Sequence, residues 1–390
     1  MKEEARVYLN EALDYIQEHS VRRAYIDWQV LRKEVYAQAS HAQTPAQVYP
    51  AIKKALFLLD DHHSFFSDPE SVQLQNQGLA KQFGLRIICP EGVVGLVYPG
   101  SPAEQAGVHI GDQVETINGQ PMARWSIWQL RTLLVFGYGY NDLELTLKPA
   151  GKPFVRSVHL QATAYTTIRK PERREIAHKI GYLDLPGLMG SQEQAIEYAQ
   201  LTQQLIREID PSNPCGWVID LRRNTGWNMW PMVAGLGPIV GEGEWLTFVA
   251  SQEQQMAFYR DGQAGISPDT VLVNVERPYH LKHPRPPVAV LTSQLTSSSG
   301  EFTALMFRGL PRTRSFGEPT QGVPTANEHK NLSDGAALIL TTALGADRTG
   351  QTYDSPLIPD CPVKIDWTHL GTPDDPVLQA AVQWLQVEEG

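Results

Sequence analysis

The stretch 288–307 constrains the fold of this chain more than any other. It starts with the apolar run VAVLT, continues through small hydroxyl residues in SQLTSSSG, and ends with the apolar, helix-like run FTALMF. This pattern predicts a buried strand, a tight turn and a helix. A serine in such a turn would be exposed beside free N–H groups and the positive end of a helix dipole, which suits a nucleophile. Because Ser and Thr also begin many ordinary helices, a plain helix cap is the alternative.

Composition and charge narrow the possible partners. The chain has 390 residues, enough for two or three domains, and a net charge of −10 from 43 acidic and 33 basic residues. This acidity argues against a nucleic-acid partner. The N-terminus carries Glu3 and Glu4, and no run of 18 apolar residues occurs, so we expect no signal peptide and no membrane span. The expected location is cytoplasmic, with a periplasmic or secreted location as the alternative if a signal peptide has been removed. The widely spaced Cys89, Cys215 and Cys361 predict no disulfide framework.

Residues 1–75 are predicted to form a helical segment, because apolar residues recur there at helical spacing. The segment contains LDDHHSFF, in which Asp60, Asp61, His62 and His63 are adjacent. Such a cluster raises the possibility of a metal site, but no HExxH spacing accompanies it and solvated helix ends are often rich in Asp and His. We therefore expect no metal or other cofactor. A histidine general base at the helix end is a further interpretation.

Residues 78–162 are predicted to form a small β domain. The sequences FGLRI and GSPAEQAGVHIGD resemble a PDZ domain, with Phe83, Gly84 and Leu85 in the position of the loop that receives a peptide carboxylate. PDZ domains bind an extended peptide as an added strand. The alternative is a PDZ fold that serves only as a structural lid.

Residues 175–390 are predicted to form an α/β core, because strand-like and helix-like runs alternate there. The buried strand 217–221 leads into the turn Asn224-Thr225-Gly226, and open α/β sheets place their sites at such strand ends. Residues 244–283 resemble an insertion, and a lid over the site is one interpretation of them.

Several of these motifs occur together, and in this order, in one family. LDDHHSFF, GSPAEQAGVHIGD, VIDLRRNTG, TSSSGE and GEPTQG make the chain resemble the C-terminal processing (tail-specific) serine peptidases, in their tricorn-like, histidine-dependent branch. The resemblance implies an α/β (α+β) multidomain protein with an N-terminal helical segment, a PDZ-like β domain and a crotonase-like protease core. The N-terminal segment would carry the catalytic histidine.

The resemblance also implies roles for individual residues. Ser298, three residues before Glu301, corresponds to the nucleophile, and His63 to the histidine of the D-x-H-S pattern. The backbone N–H groups of Gly226 and Ser299 would form the oxyanion hole. Asp354 is the nearest match to the acid that orients the histidine.

Two positions depart from the pattern of many relatives. Val323 stands where those relatives have a catalytic lysine, so a histidine base is expected instead. Trp227 stands where the family has a second glycine in the oxyanion loop.

The function implied is hydrolysis of peptide bonds through a Ser-His-acid triad. The substrate would be a peptide or an unfolded protein, with the PDZ-like domain binding its C-terminus or gating the site. The alternatives are a catalytically inactive relative that binds a peptide or an apolar ligand, and a metal hydrolase built on residues 60–63. Ser297 or Ser299 could replace Ser298 as nucleophile, since only the spacing to Glu301 selects Ser298. The sequence gives no indication of oligomeric state.

Overall fold

The C-terminal half of the chain is built on a six-stranded sheet. The computed structural model describes residues 1–137, 140–174, 176, 179–250 and 253–388. Five strands of the sheet are parallel, and the first is antiparallel to its neighbour. In spatial order they are Glu172–Arg173, Ile180–Asp184, Gly216–Asp220, Val288–Thr292, Thr313–Gly317 and Cys361–Pro362. The predicted strands 217–221 and 288–292 are confirmed to within one residue.

Helices cover both faces of this sheet. Gln192–Ile209, Trp230–Val240 and Ser299–Leu305 share one hydrophobic core with one face, and Pro376–Glu388 packs on the other. The strands read as continuous apolar runs because helices or loops bury them on both sides. Parallel strands bring their carboxyl ends to one edge, so the turns after 220 and 292 lie close together there.

An eight-stranded, antiparallel second sheet extends the core. It contains the segment predicted to be an insertion, which forms strands rather than an irregular loop. Its strands are Phe65–Ser67, Gly243–Val249, Gln254–Arg260, Gln263–Ile266, Thr270–Asn274, Thr325–Asn331, Ala337–Ala346 and Thr352–Tyr353. The pairing of Phe65 with Ile339 joins the N-terminal segment to this sheet.

The N-terminal segment is helical, as predicted. Its α-helices are Glu3–His19, Trp28–Gln38, Tyr49–Leu58 and Pro69–Asn76, with 3₁₀ turns at Arg23–Tyr25 and Pro45–Val48. The first three helices share a hydrophobic core with Phe66, Leu338 and Leu340. Residues 59–64 therefore run between a packed helix and a paired strand, which fixes the position of His63.

The PDZ-like region has a core of its own, formed by an antiparallel sheet and short helices. Its strands are Leu85–Ile88, Val93–Val97, Gln113–Ile117, Gln120–Pro121, Asp142–Lys148 and Arg156–Gln161. Its helices are Pro102–Gln105 and Ile127–Arg131, the latter continuing as a π-turn over Thr132–Phe136, and a 3₁₀ turn lies at Met122–Arg124. A two-stranded ribbon, Leu79–Gln82 with Thr163–Thr166, connects the region to the rest of the chain.

Within the described residues, no helix is long and apolar enough to cross a membrane.

A buried arginine, Arg222, ties the central sheet to the last helix. Its Nη2 lies 2.6 Å from Asp220 Oδ2 and its Nη1 2.7 Å from Asp375 Oδ2. Asp375 Oδ1 also accepts the N–H of Val377, at 3.0 Å, at the start of the helix. Burial alone would raise the pKa of Asp220, but Arg222 lowers it to about 2. One guanidinium thus bridges two buried carboxylates and is the counterion of both.

We expect Arg222→Met to lower the free energy of unfolding by about 3–5 kcal/mol, because it leaves two buried carboxylates without their counterion. Urea unfolding followed by tryptophan fluorescence measures the change. The matched control is Arg260→Met, since the Arg260–Glu244 ion pair is half-exposed and should contribute at most about 1 kcal/mol. Equal losses for the two variants would contradict this role for Arg222.

Candidate active site

One cavity of about 780 Å³ lies at the carboxyl edge of the central sheet. All parts of the chain contribute to its walls. The N-terminal segment contributes His63 and Phe65, and the PDZ-like region contributes Arg131 and Phe136. The core contributes Trp227, Ser298 and Phe302. The strands of the second sheet and the loop between two of them contribute Phe248, Glu253 and Ile266. The residues predicted as nucleophile and base are therefore brought to the same cavity although they are far apart in the sequence.

Ser298 lies at the first turn of the helix Ser299–Leu305, as the strand–turn–helix pattern predicted. Its backbone has φ 54° and ψ −115°, which is unusual for a residue with a side chain. The turn is fixed from both sides: the Ser297 N–H donates to the Asn224 carbonyl at 3.0 Å, and the Gly300 N–H donates to the Ser297 carbonyl at 2.8 Å. Packing around the turn thus holds a strained serine at a helix N-terminus.

The two flanking serines use their hydroxyl groups internally. Ser297 Oγ donates to Gln321 Oε1 at 2.5 Å, and Ser299 Oγ donates to the Trp227 carbonyl. Both residues are buried, whereas Ser298 is half-buried. This difference favours Ser298 over its neighbours as a nucleophile.

Glu301 connects the serine turn to the turn 320–323. The fully buried carboxylate accepts the Ser298 N–H at 2.8 Å, the Thr320 hydroxyl at 2.6 Å, and the N–H groups of Gly322 and Val323 at 2.9 and 3.0 Å. Burial raises the pKa of Glu301 to about 7, against the lowering effect of these hydrogen bonds. In the sequence, Glu301 served only to locate Ser298, three residues before it. The connection that its carboxylate makes between the two turns was not predicted.

His63 is buried, at 3% exposure, in the wall of the cavity. Its Nδ1 lies 2.7 Å from Thr325 Oγ1, and its backbone N–H donates to Asp61 Oδ1 at 2.9 Å. Burial lowers the pKa of His63 well below its ordinary value, and the positive charge of Arg131 lowers it further. The imidazole is therefore neutral at pH 7 and able to accept a proton.

The structure does not place Asp354 where the sequence suggested. Asp354 is exposed, lies outside the residues that line the cavity, and has no described contact with His63. The Thr325 hydroxyl meets the imidazole at the position where a carboxylate was expected. Asp354 was chosen because its sequence position is the nearest match to the acid in the family, and sequence position alone does not determine which side chain reaches the histidine.

The loop predicted to form the oxyanion hole lies against the serine turn. Gly226 has φ +87°, and a methyl group at this position would lie 2.9 Å from Ser298 Cβ and 3.1 Å from the Ser299 nitrogen. The Gly226 N–H, however, donates to Asn224 Oδ1 at 3.0 Å. Among the hydrogen bonds of the described residues, none uses the N–H of Ser299 or of Trp227. The Ser299 N–H follows Ser298 directly and is available as a donor, so the expectation for Ser299 fits better than that for Gly226.

Trp227 forms part of the cavity wall. It has φ +83°, an unusual backbone conformation for a tryptophan. Its ring meets Phe65 edge-on with centroids 6.1 Å apart, and Phe65 stacks on Phe136 at 4.7 Å. The three rings come from the core, the N-terminal segment and the PDZ-like region. The substitution of glycine by Trp227 therefore adds an aromatic contact between three parts of the chain.

Arg131 brings a positive charge from the PDZ-like region to the serine turn, which the sequence did not reveal. Its Nη1 lies 3.2 Å from Ser297 Oγ and also donates to Gln321 Oε1. Burial lowers the pKa of Arg131 to about 10, so the group stays charged at neutral pH. Its position could not be predicted because it depends on how the PDZ-like helix packs against the core.

The predicted peptide loop Phe83-Gly84-Leu85 is buried. The following strand, Leu85–Ile88, is an edge strand of its sheet. Just past its end, the Gln294 side chain accepts the N–H of Cys89 at 2.7 Å and donates to its carbonyl at 2.5 Å. The PDZ-like region thus contacts the loop that leads to Ser298, and the role of residues 83–85 in substrate binding stays a prediction.

The side chains of the cluster Asp60–His63 contact different partners and do not converge on one point. His62 stacks on Trp128 with ring centroids 4.2 Å apart, and Asp61 accepts hydrogen bonds from the backbone of His63 and Ser64. Within the described residues, no group of three or more His, Cys, Asp or Glu side chains could hold a metal ion.

The lysine position of the family is occupied by a buried valine. The Val323 N–H donates to Glu301 Oε2 at 3.0 Å, and no lysine is among the described residues that line the cavity. Lys330 lies over the ring of Tyr15, 5.7 Å from its centroid. Among the described residues, no lysine is therefore placed in this cavity to act as the base.

Two regions of the chain match models of known protein families. Residues 179–363 match the model of peptidase family S41, and residues 93–135 match a PDZ domain model. The nisin-resistance protein of Lactococcus lactis subsp. lactis is 32% identical over 190 residues, which is 48% of this chain and 58% of that protein. The chain thus spans little more than half of this relative.

Two further proteins match over greater lengths. The chloroplastic C-terminal processing peptidase of Tetradesmus obliquus is 27% identical over 87% of this chain and 74% of its own length. The structure of a photosystem II D1 C-terminal processing protease has the same fold, with a TM-score of 0.62 and 23% identity over 98% of each chain. S41 peptidases are serine-type hydrolases. Residues 179–363 of this chain therefore belong to peptidase family S41, and residues 93–135 belong to a PDZ domain.

Proposed function

We propose that this protein hydrolyses peptide bonds with Ser298 as the nucleophile and His63 as the general base. The observation that carries the proposal is the shared cavity: it brings a strained serine at a helix N-terminus together with a buried, neutral histidine. Serine needs a base to remove its proton, and a neutral imidazole can do so.

The remaining groups fit acyl transfer. Thr325 occupies Nδ1 of His63, so only Nε2 is left to accept the Ser298 proton. The attacking serine oxygen would bond to the carbonyl carbon, and the carbonyl oxygen would become negative. The free N–H groups of Ser299 and Trp227 would stabilise that charge. His63 would then protonate the leaving amine, and water would release the acyl group by the same route in reverse.

The proposed substrate is an extended peptide or the C-terminal region of an unfolded protein. The cavity is surrounded by four parts of the chain, so a folded substrate would not reach Ser298. Relatives named C-terminal processing peptidases support this class. The PDZ domain would bind the substrate C-terminus or gate the cavity. Because named relatives are chloroplastic, a cytoplasmic location stays a prediction.

A fluorophosphonate probe tests the proposal directly, because it labels only an activated serine. We expect one adduct, located on Ser298 by mass spectrometry, and no labelling in His63→Ala. Labelling in the presence of EDTA should be unchanged, which separates the proposal from a metal hydrolase. Absence of labelling in the wild type, or an adduct on Ser297 or Ser299, would contradict it.

The second candidate is a non-catalytic protein that binds a peptide or an apolar ligand. Its one supporting observation is the aromatic cavity wall of Phe65, Phe136 and Trp227. The family assignment does not favour it.

A further inference from the structure

The imidazole of His63 is held by a hydroxyl group instead of a carboxylate. Its Nδ1 lies 2.7 Å from Thr325 Oγ1, and both side chains are buried. A carboxylate in this position orients the histidine and stabilises the imidazolium that forms during the reaction. A threonine hydroxyl can orient the ring but carries no charge.

We infer that Thr325 is a positioning residue: its hydroxyl accepts the Nδ1–H of His63 and so holds the base in the tautomer whose Nε2 lone pair is available to Ser298. The inference rests on the proposed function. The opposite arrangement, with the hydroxyl donating to Nδ1, would place the proton on Nε2 and leave no base for the serine.

The surroundings of Thr325 suit this task. Thr325 begins the strand Thr325–Asn331 and pairs with Leu344, so its backbone is fixed within the second sheet. Its β-branched side chain has few rotamers, which limits where the hydroxyl can lie. Within the described part of the chain, His63 is the only hydrogen-bond partner of this hydroxyl. The ring therefore has a rigid, dedicated partner.

The charges around His63 come from several elements. Asp61 lies on its own loop but contacts the backbone N–H and not the ring. Arg131 reaches the cavity from the PDZ-like region and disfavours a charged imidazole. Glu328 and His329 line the same cavity, further along the strand that carries Thr325. No described hydrogen bond or ion pair joins a carboxylate to the His63 ring, so nothing in direct contact favours the imidazolium.

A pH profile should reveal this arrangement. Burial and Arg131 lower the pKa of His63, so the group becomes protonated only well below pH 6.5. The acid limb of kcat/KM should therefore lie below the ordinary pKa of histidine. In Thr325→Asp, a carboxylate would sit against Nδ1 and favour the charged ring, so the acid limb should move up by about 1–3 pH units.

Conservative variants separate positioning from packing. Thr325→Val has the same shape without the hydroxyl and should lower kcat on the order of 10²-fold, because the tautomer is no longer fixed. Thr325→Ser restores the hydroxyl and should recover most of that loss, although it removes a methyl group from the core. If Ser is as impaired as Val, or if Val retains the wild-type kcat and pH profile, the positioning role is wrong.

A spectroscopic measurement makes the test independent of activity. Long-range ¹H–¹⁵N NMR of the Ser298→Ala protein, with the His63 signal assigned by comparison with His63→Gln, reports which ring nitrogen carries the proton. We expect the Nδ1–H tautomer, and a mixture of tautomers after Thr325→Val. An Nε2–H tautomer would overturn the inference even if fluorophosphonate labels Ser298. Failure of that labelling together with an Nδ1–H tautomer would contradict the proposed function and leave the hydrogen bond from His63 to Thr325 standing.

Discussion

Replacing Ser298 with alanine is expected to lower kcat for peptide hydrolysis by roughly 10⁶-fold, the scale seen when the nucleophile of a serine peptidase is removed. His63→Ala should cause a similar loss, because the serine hydroxyl is a weak nucleophile without its base. The double variant should be no slower than either single variant, since the two groups act as one unit. Initial rates on an unfolded protein substrate, with products identified by mass spectrometry, measure all three.

The matched controls are other serines. Ser355→Ala changes an exposed serine outside the cavity and should leave kcat unchanged. Ser297→Ala removes a hydroxyl that bonds to Gln321 and Arg131, so a moderate loss, on the order of 10-fold, would follow from a less rigid turn. A full loss in Ser297→Ala with activity retained in Ser298→Ala would assign the nucleophile to Ser297 and contradict the proposal.

The serine turn was predictable because its signals are local. A buried strand, small residues and an apolar helix follow one another directly in the sequence, and each carries its own periodicity. The structure has the strand at Val288–Thr292 and the helix at Ser299–Leu305. The position of His63 followed from a family motif and not from periodicity. Its proximity to the serine depends on the pairing of Phe65 with Ile339, which no local pattern indicated.

The partners of these two residues were not predictable for the same reason. Thr325 and Arg131 reach the site from a strand and from a PDZ-like helix, and their contacts depend on tertiary packing. The family resemblance pointed to Asp354, because carboxylates are the usual partners of catalytic histidines. A threonine gives no comparable signal in a single sequence. The side chains that contact the proposed catalytic pair could therefore be identified only from the structure.

Glu301→Ala is expected to lower kcat by about 10³-fold and the free energy of unfolding by about 3 kcal/mol. The substitution removes the acceptor of four hydrogen bonds, two of them from backbone N–H groups in the turn 320–323. Buried donors left without a partner each cost roughly 1–3 kcal/mol, reduced where the turn relaxes or water enters. Relaxation of the turn would move Ser298 away from His63, and small displacements of a nucleophile are costly in rate.

The isosteric variant Glu301→Gln separates charge from shape. Its amide can accept some of the four hydrogen bonds, but its NH₂ group would face other donors, so an intermediate loss of activity is expected. Glu318→Gln is the control, because Glu318 is a half-buried carboxylate near the same turn that accepts the Ile365 N–H and makes no described contact with Ser298. Steady-state kinetics and urea unfolding of the three variants measure these effects. Equal activity in Glu301→Ala and Glu318→Gln would contradict the role given to Glu301.

Titration of the Glu301 carboxylate should also make the free energy of unfolding depend on pH. Its pKa is raised from an ordinary value of 4.5 to about 7 in the folded protein, first by burial. The folded state therefore holds the proton more tightly than the unfolded state, so this group makes the free energy of unfolding fall as pH rises from about 4.5 to about 7. Glu301→Gln cannot titrate and should lose this part of the slope, while Glu115→Gln, which changes an exposed carboxylate, should keep it. A wild-type slope retained in Glu301→Gln would mean that the carboxylate is ionised in the fold throughout this range, held by its four donors.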